Sequence, residues 1–317
     1  MATTTSLTTS YSGAGGKEYI AASLLSGSTI ENGLITVKPN VKHKEVLKKV
    51  STDAILKDAS CDFTATSTLT LTERILEPKE LKVNLQLCKA DFRGDWEAID
   101  MGMSAHDSLP PNFADFLIGH VAGKVAQRVE QNIWAGDAST SGDFDGISTL
   151  IAADALLPSG QEIAGTTVTA SNVIAQLGSI VDAIPSSLYG SEDLKIYVSQ
   201  DIARAYVRAL GGFSVAATSN AGVGSQGTQW WNGGALSFDG VSIAIANGLA
   251  DSTAIAAEKS NLFFGTGILN DTNLVKVLDM SDLDGSDNVR VIMKMTGGVQ
   301  YAIAEDITTY GITNSAN

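Results

Sequence analysis

An α+β chain is what the sequence predicts, and three observations predict it. Apolar residues recur about every four positions from Phe113 to Ile133, the mark of one long amphipathic helix. Elsewhere they alternate with polar ones: Leu81, Val83, Leu85 and Leu87 are set against Lys82, Asn84, Gln86 and Cys88, as in half-buried strands. Helical and extended segments then mix without strict strand–helix–strand alternation, which argues against a doubly wound parallel sheet.

Residues 1–33 are rich in Ser, Thr, Gly and Ala, a composition that frays unless something holds it, most simply a neighbouring subunit. From Gly33 to Arg93 the pattern is mostly extended. Leu69 and Leu71 alternate with Thr68, Thr70 and Thr72, and Glu77-Pro78 interrupts the run because proline lacks an N–H and fits only an edge or bend. The region reads as a two-stranded excursion with polar, threonine-rich faces. A hairpin alone is marginal in water, so a projecting one needs a surface to lie on.

Ser108-Leu-Pro110-Pro111 opens the long helix, since proline fits a first turn whose N–H groups are unpaired anyway. The helix should run about 22 residues, roughly 33 Å. Asp115 and Arg128 suit its dipole, and Gly136 is the expected stop. A polar loop follows to Gly146. A second helix is expected over Ser171–Ile184, with Val173, Ile174, Leu177, Ile180 and Val181 on one face and Pro185 after it. Leu194–Val198 reads as a strand, Ser199-Gln-Asp201 caps a third helix to Leu210, and Gly211-Gly212 ends it. A Gly/Ser-rich loop over 211–234 carries Trp230-Trp231, and Val241–Ile245 is another strand. Near the end, Val289, Val291, Met293 and Met295 alternate, Gly297-Gly298 is expected to turn, and Val299–Ile303 to return as a hairpin.

Composition narrows the function. The chain has 317 residues, 44% of them hydrophobic and 18% charged, enough to form a core in one large domain or two ordinary ones. Its net charge of -14 argues against a general nucleic-acid binder. No apolar run reaches the roughly 18 residues that span a bilayer, so no membrane partner is expected. The first ten residues have neither a basic nor an apolar signal region. Two cysteines, Cys61 and Cys88, suit a reducing compartment rather than a disulfide scaffold.

Charge is unevenly spread. Between Lys38 and Arg93, eleven basic residues outnumber eight acidic ones, while the remainder of the chain is strongly acidic. Lys38, Lys42, Lys44, Lys48 and Lys49 form the densest part, with Lys57, Glu73 and Arg74 further along the same excursion. Two readings stand: a solvated basic face, or an arm lying on an acidic surface, which would be another copy of the same chain. The second makes these eight residues candidate intersubunit contacts. Trp230 and Trp231 join them, because tryptophan is common at interface centres, although it also fills cores.

Catalytic motifs are sparse. Gly222-Val-Gly224-Ser-Gln-Gly227 fits a dinucleotide fingerprint by letter but sits within a Gly/Ser loop rather than between strand and helix. Asp282-Leu-Asp284-Gly285-Ser-Asp287 resembles a calcium loop without its distal bidentate glutamate, so an acidic turn is the simpler reading. His43, His106 and His120 lack metal spacing, and no nucleophile elbow, Walker A loop or H-E-x-x-H is present. No catalytic residue, cofactor or metal is therefore assigned, and the chain is expected not to be an enzyme. A hydrolase or metal-dependent enzyme using the aspartate clusters is the rival from another class.

Taken together, the polar arm, extended loop, long helix, acidic turn, second helical and stranded domain and closing hairpin resemble a major capsid protein of a tailed bacteriophage, with the Hong Kong 97 type of shell fold. The resemblance runs from about Gly33 to Gly311. It is carried by Trp134-Ala-Gly136-Asp137 with Phe144-Asp-Gly146-Ile147, and by the stretches Asp58–Phe63, Leu71–Leu81 and Asn261–Gly265. It implies an N-terminal arm over 1–33, an extended loop over 34–93, a peripheral domain with a spine helix over 94–167 and 271–317, and an axial domain over 168–270. It further implies pentamers and hexamers that close into an icosahedral head around double-stranded DNA, held without sequence-specific binding. The partners would be further copies of the chain, portal and scaffolding proteins, and decoration proteins. The location would be the virion, assembled in the host bacterial cytoplasm. With only about 33 residues before the loop, scaffolding is expected to be a separate protein, and no partner is assignable for a lysine–asparagine crosslink. An encapsulin-like nanocompartment shell and a tail-tube subunit are the alternatives.

Overall fold

The computed structural model describes residues 28–52, 55–56, 58, 61, 68–88, 91, 111–210, 236–267 and 275–316. Expectations for residues 1–27, Lys57, His106, and the loop with Gly222–Gly227, Trp230 and Trp231 fall outside these. The chain divides into two compact units, one of 1–26, 80–129 and 268–296, the other of 27–79, 130–267 and 297–317.

In the first unit, strand β4 (Lys79–Cys88) and strand β11 (Val275–Asp279) both pair with β12 (Asn288–Tyr301), β11 in antiparallel register from Val275↔Met293 to Asp279↔Val289. Val289, Val291, Met293 and Met295 are buried, as their alternation requires. Helix α2 covers Pro111–Ala135, 25 residues rather than 22, and passes from this unit into the other. Its amide ladder ends with the Gly136 N–H on the Asn132 carbonyl, at the stop the sequence predicts.

The larger unit centres on a six-stranded mixed sheet, ordered β5 (Glu162–Ile163), β13 (Thr308–Tyr310), β9 (Ala254–Glu258), β6 (Leu194–Val198), β8 (Val241–Ile245) and β7 (Leu236–Phe238). The long apolar runs of β6 and β9 suit strands covered on both faces: Ile196, Tyr197, Val198, Ala254 and Ile255 are buried. Helices α4 (Val173–Asp182) and α5 (Gln200–Leu210) pack on it through Val173, Leu177, Ile180, Ile202 and Tyr206. Ile174, expected on the same face of α4, is 52% exposed instead. Asn172 closes the start of α4 by accepting the Thr169 N–H at 2.7 Å. Asp201 secures the start of α5: it accepts from the Ser199 hydroxyl, and from the Ser252 N–H at 2.7 Å and hydroxyl at 3.0 Å.

Two expectations are corrected here. Gly297-Gly298 makes no hairpin; β12 runs straight through it, and Leu262–Gly265 (β10), which pairs parallel with Thr36–Lys38 (β1), pairs antiparallel with Tyr301–Gly298. The glycines serve close approach, not turning. A Cβ on Gly298 would lie 2.9 Å from the Glu77 carbonyl, and one on Gly297 would lie 3.2 Å from the Phe144 ring. The two-stranded excursion is also composed differently. Its strands are β2 (Glu45–Thr52) and β3 (Leu69–Leu76), whereas Lys79–Cys88 beyond the Glu-Pro break leaves to join β12. Periodicity identified β3 and β4 but neither β2 nor which strands pair.

Candidate assembly surface

The β2–β3 ribbon has two chemically distinct faces, because register Val46↔Ile75, Lys48↔Glu73, Val50↔Leu71 and Thr52↔Leu69 gathers one alternate set and Leu47↔Arg74 the other. The second set lies on its own unit. Leu47 and Leu76 are buried, and Leu76 closes over Gly265. Arg74 pairs with Asp154, and its guanidinium also lies 4.5 Å from the centre of the Tyr301 ring; the Tyr301 hydroxyl donates to the same carboxylate at 2.6 Å. Lys49 pairs with Glu305 at 2.8 Å, and Gln300 donates to the Ile75 carbonyl at 3.1 Å.

Burial alone would raise the Asp154 carboxyl; hydrogen bonds from Tyr301, the Leu156 N–H and Arg74 outweigh it and hold the group below its usual range. Glu305 behaves alike, with burial opposed by the hydrogen bond from Lys49.

The other face holds Val46, Val50, Leu69, Leu71 and Ile75, between 43% and 64% exposed, with Lys48 and Glu73 opposite each other in its middle. Beyond β2 in sequence, Ile55 and Leu56 are 66% and 94% exposed. Single exposed apolar residues are ordinary, but a contiguous set on one side of a ribbon marks an interaction surface.

Of the ten residues singled out in the sequence, Lys38, Lys44, Lys49 and Arg74 have acidic partners on their own chain: Glu45, Glu77, Glu305 and Asp154. Lys38 also lies 5.0 Å from the Phe263 ring centre. Lys42, Lys48 and Glu73 are exposed, and the latter two share the apolar face. Charge counting passed over Val46 and Val50; the alternation Val46, Lys48, Val50 against buried Leu47 was the signal available.

The acidic turn after α2 is a knot of two glycines. The Gly146 N–H bonds to the Gly136 carbonyl at 3.0 Å, and a Cβ on Gly146 would stand 2.6 Å from the Asn132 carbonyl oxygen. Thr149, in the short helix α3 (Ile147–Ala152), donates to the Gly136 carbonyl at 2.6 Å, and Lys79 holds the Asp143 carbonyl at 2.7 Å. Asp137 and Asp145 accept backbone N–H groups of Ser139 and Ala138, so these carboxylates shape the turn. Asp284 does likewise for the Ser286 N–H, beside Gly285 at φ 70°. Among the described residues, no three His, Cys, Asp or Glu side chains are grouped to hold a metal ion, and no helix is long and apolar enough to cross a membrane.

No family model and no curated protein matches the chain. Solved structures do. The capsid of the native GTA particle, computed with C5 symmetry, has 12% identity and TM-score 0.59, with 92% of this chain and 91% of that chain covered. The capsid structure of cyanophage P-SCSP1u has 14% identity and TM-score 0.56, with 92% and 90% covered. Mycobacterium phage Adephagia gives 14% identity, TM-score 0.55, and 91% of both chains. The chain therefore has the α+β fold of phage capsids, the Hong Kong 97 type expected from the sequence.

Proposed function

We propose that the chain is the major capsid protein of a tailed bacteriophage, a structural subunit rather than an enzyme. Copies assemble through pentamers and hexamers into an icosahedral head around double-stranded DNA. The observation that carries this reading is the divided ribbon, one face fixed on its own body and the other apolar and open. Half-exposed Val, Leu and Ile side chains contribute about 1 kcal/mol each when covered, so the five supply about 5 kcal/mol per subunit contact. That is weak alone and strong when every subunit in a closed shell repeats it. The acidic character of the remainder suits a container that must not grip its DNA. Portal, scaffolding and decoration proteins are the further partners, the virion is the destination, and the host cytoplasm is the place of assembly.

The test is electron microscopy of purified wild-type chain and of the double variant Val50→Lys, Leu71→Lys. Closed polyhedra from the wild type and folded, unassembled protein from the variant are expected. Shells from the variant, as abundant as from the wild type, would overturn the role of the ribbon. Tubes would indicate a tail-tube subunit, and protein cargo in place of DNA a nanocompartment.

A further inference from the structure

Glu130, in the last turns of α2, is 1% exposed and has a carboxylate's full need for solvation. Its partner is Thr29, itself fully buried in the one-turn helix α1 (Ser28–Glu31). Glu130 Oε2 accepts the Thr29 backbone N–H at 3.1 Å, and Oε1 accepts the Thr29 hydroxyl at 2.5 Å. Trp134, one turn further along α2 and fully buried, donates its indole N–H to the same hydroxyl at 2.8 Å. Asn247 donates to the Ser28 hydroxyl at 3.1 Å, and Tyr197, its ring centre 5.0 Å from that of Trp134 and tilted 41° to it, donates to the Leu34 carbonyl at 2.7 Å. The segment Ser28–Leu34, through which the chain enters from its N-terminal residues, is thus fastened to α2 chiefly through one carboxylate.

No cation is paired with Glu130 among the described residues. Among the described residues, α1, α2 itself, the loop whose Gly248 abuts the Glu130 carbonyl, β6 with Tyr197, and the turn after α2, whose Ser148 donates to the Trp134 carbonyl, pack on the cluster. Of these, α1 brings a charged group to face Glu130, and it is another acid, Glu31. A buried carboxylate without a counter-charge is costly, and opening to water relieves that cost.

We propose that Glu130, Thr29 and Trp134 form a proton-controlled latch on the root of the N-terminal segment, closed more firmly when Glu130 carries a proton and released more readily when it is ionised. The sign follows from linkage. Burial raises the Glu130 carboxyl above its ordinary value of 4.5, against the hydrogen bonds from Thr29 and Trp134, and Glu31 adds to the rise. Opening lets the group return to its ordinary value, so opening releases a proton. The closed state is therefore favoured most below the ordinary value, and the advantage is lost as pH climbs through the raised one.

The latch is testable on the full chain, assembled or not, by hydrogen exchange of the Thr29–Leu34 amides between pH 4 and 8, corrected for intrinsic exchange. In the wild type the opening constant should rise with pH, by at most tenfold per unit, then level off. Glu130→Gln should make it flat. Glu31→Gln, an exposed change, should lower the plateau by weakening the repulsion, and it keeps the test decisive if Glu130→Gln fails to fold. A wild-type opening constant that is flat or falls with pH, or a plateau untouched by Glu31→Gln, would overturn the latch. The outcome is separate from shell formation, which the Val50 and Leu71 variant reads.

Discussion

The β2–β3 ribbon and the six-stranded sheet are built from similar strand chemistry and reach opposite ends. In the sheet, β6 and β9 are buried on both faces, and α4 and α5 supply an apolar cover from the same unit. In the ribbon, one alternate set is anchored by Leu47, Leu76, Arg74 and Lys49, while Val46, Val50, Leu69, Leu71 and Ile75 are exposed. The sheet thus completes itself. The ribbon has spent its ion pairs on holding a pose and keeps its apolar side for something else.

That contrast can be broken most forcefully by exchanging the sites of damage. Ile196→Ala, in the centre of the sheet and fully buried, should cost about 2–5 kcal/mol in denaturant unfolding. Val50→Ala should stay within about 0.5 kcal/mol of the wild type by the same measurement, yet lower the yield of particles seen by microscopy. Equal destabilisation by both would remove the distinction.

The anchored face comes next in size. Arg74→Ala removes a mostly buried ion pair and a ring contact and leaves Asp154 beside Tyr301, which should cost about 1–3 kcal/mol and speed exchange of the ribbon amides. The same face should respond to acid. Asp154 and Glu305 both sit below their ordinary values, so each contributes stability above those values and loses it as pH falls through its folded-state value. Exchange of β2–β3 amides should therefore accelerate below about pH 4 before that of β6 and β9. Simultaneous acceleration would mean that the ribbon is no more separable than the sheet.

The smallest effect belongs to the self-sufficient region. Gly178 lies within α4, and nothing stands within 4 Å of where a Cβ would be. Gly178→Ala should stabilise thermal unfolding by about 0.5–1 kcal/mol through helix propensity alone, with no change in assembly.

Legibility from sequence followed the same division. The boundaries of β6, α5 and β8 match the expected ones because caps, glycines and short apolar runs mark them locally. The stop of α2 at Gly136 was equally local. Gly297-Gly298 misled because glycine pairs serve both turns and tight approach, and the deciding neighbours, Glu77, Pro78 and Phe144, are distant in sequence. In the ribbon, the lysines drew attention by their density. Only register reveals that Lys49 and Arg74 turn toward Glu305 and Asp154 while Val50 and Leu71 share the other side. The Thr29–Glu130–Trp134 cluster spans more than a hundred positions and left no local mark.

The glycine knot after α2 has a practical consequence. Its neck is fixed by the Gly136–Gly146 bond, while residues 137–142 are exposed. Loop-closure entropy grows slowly, by about 0.6 kcal/mol for each doubling of length. A foreign peptide grafted between Ser141 and Gly142 would be carried as an outgrowth on a clasped stem, making this a natural position for labels and displayed epitopes.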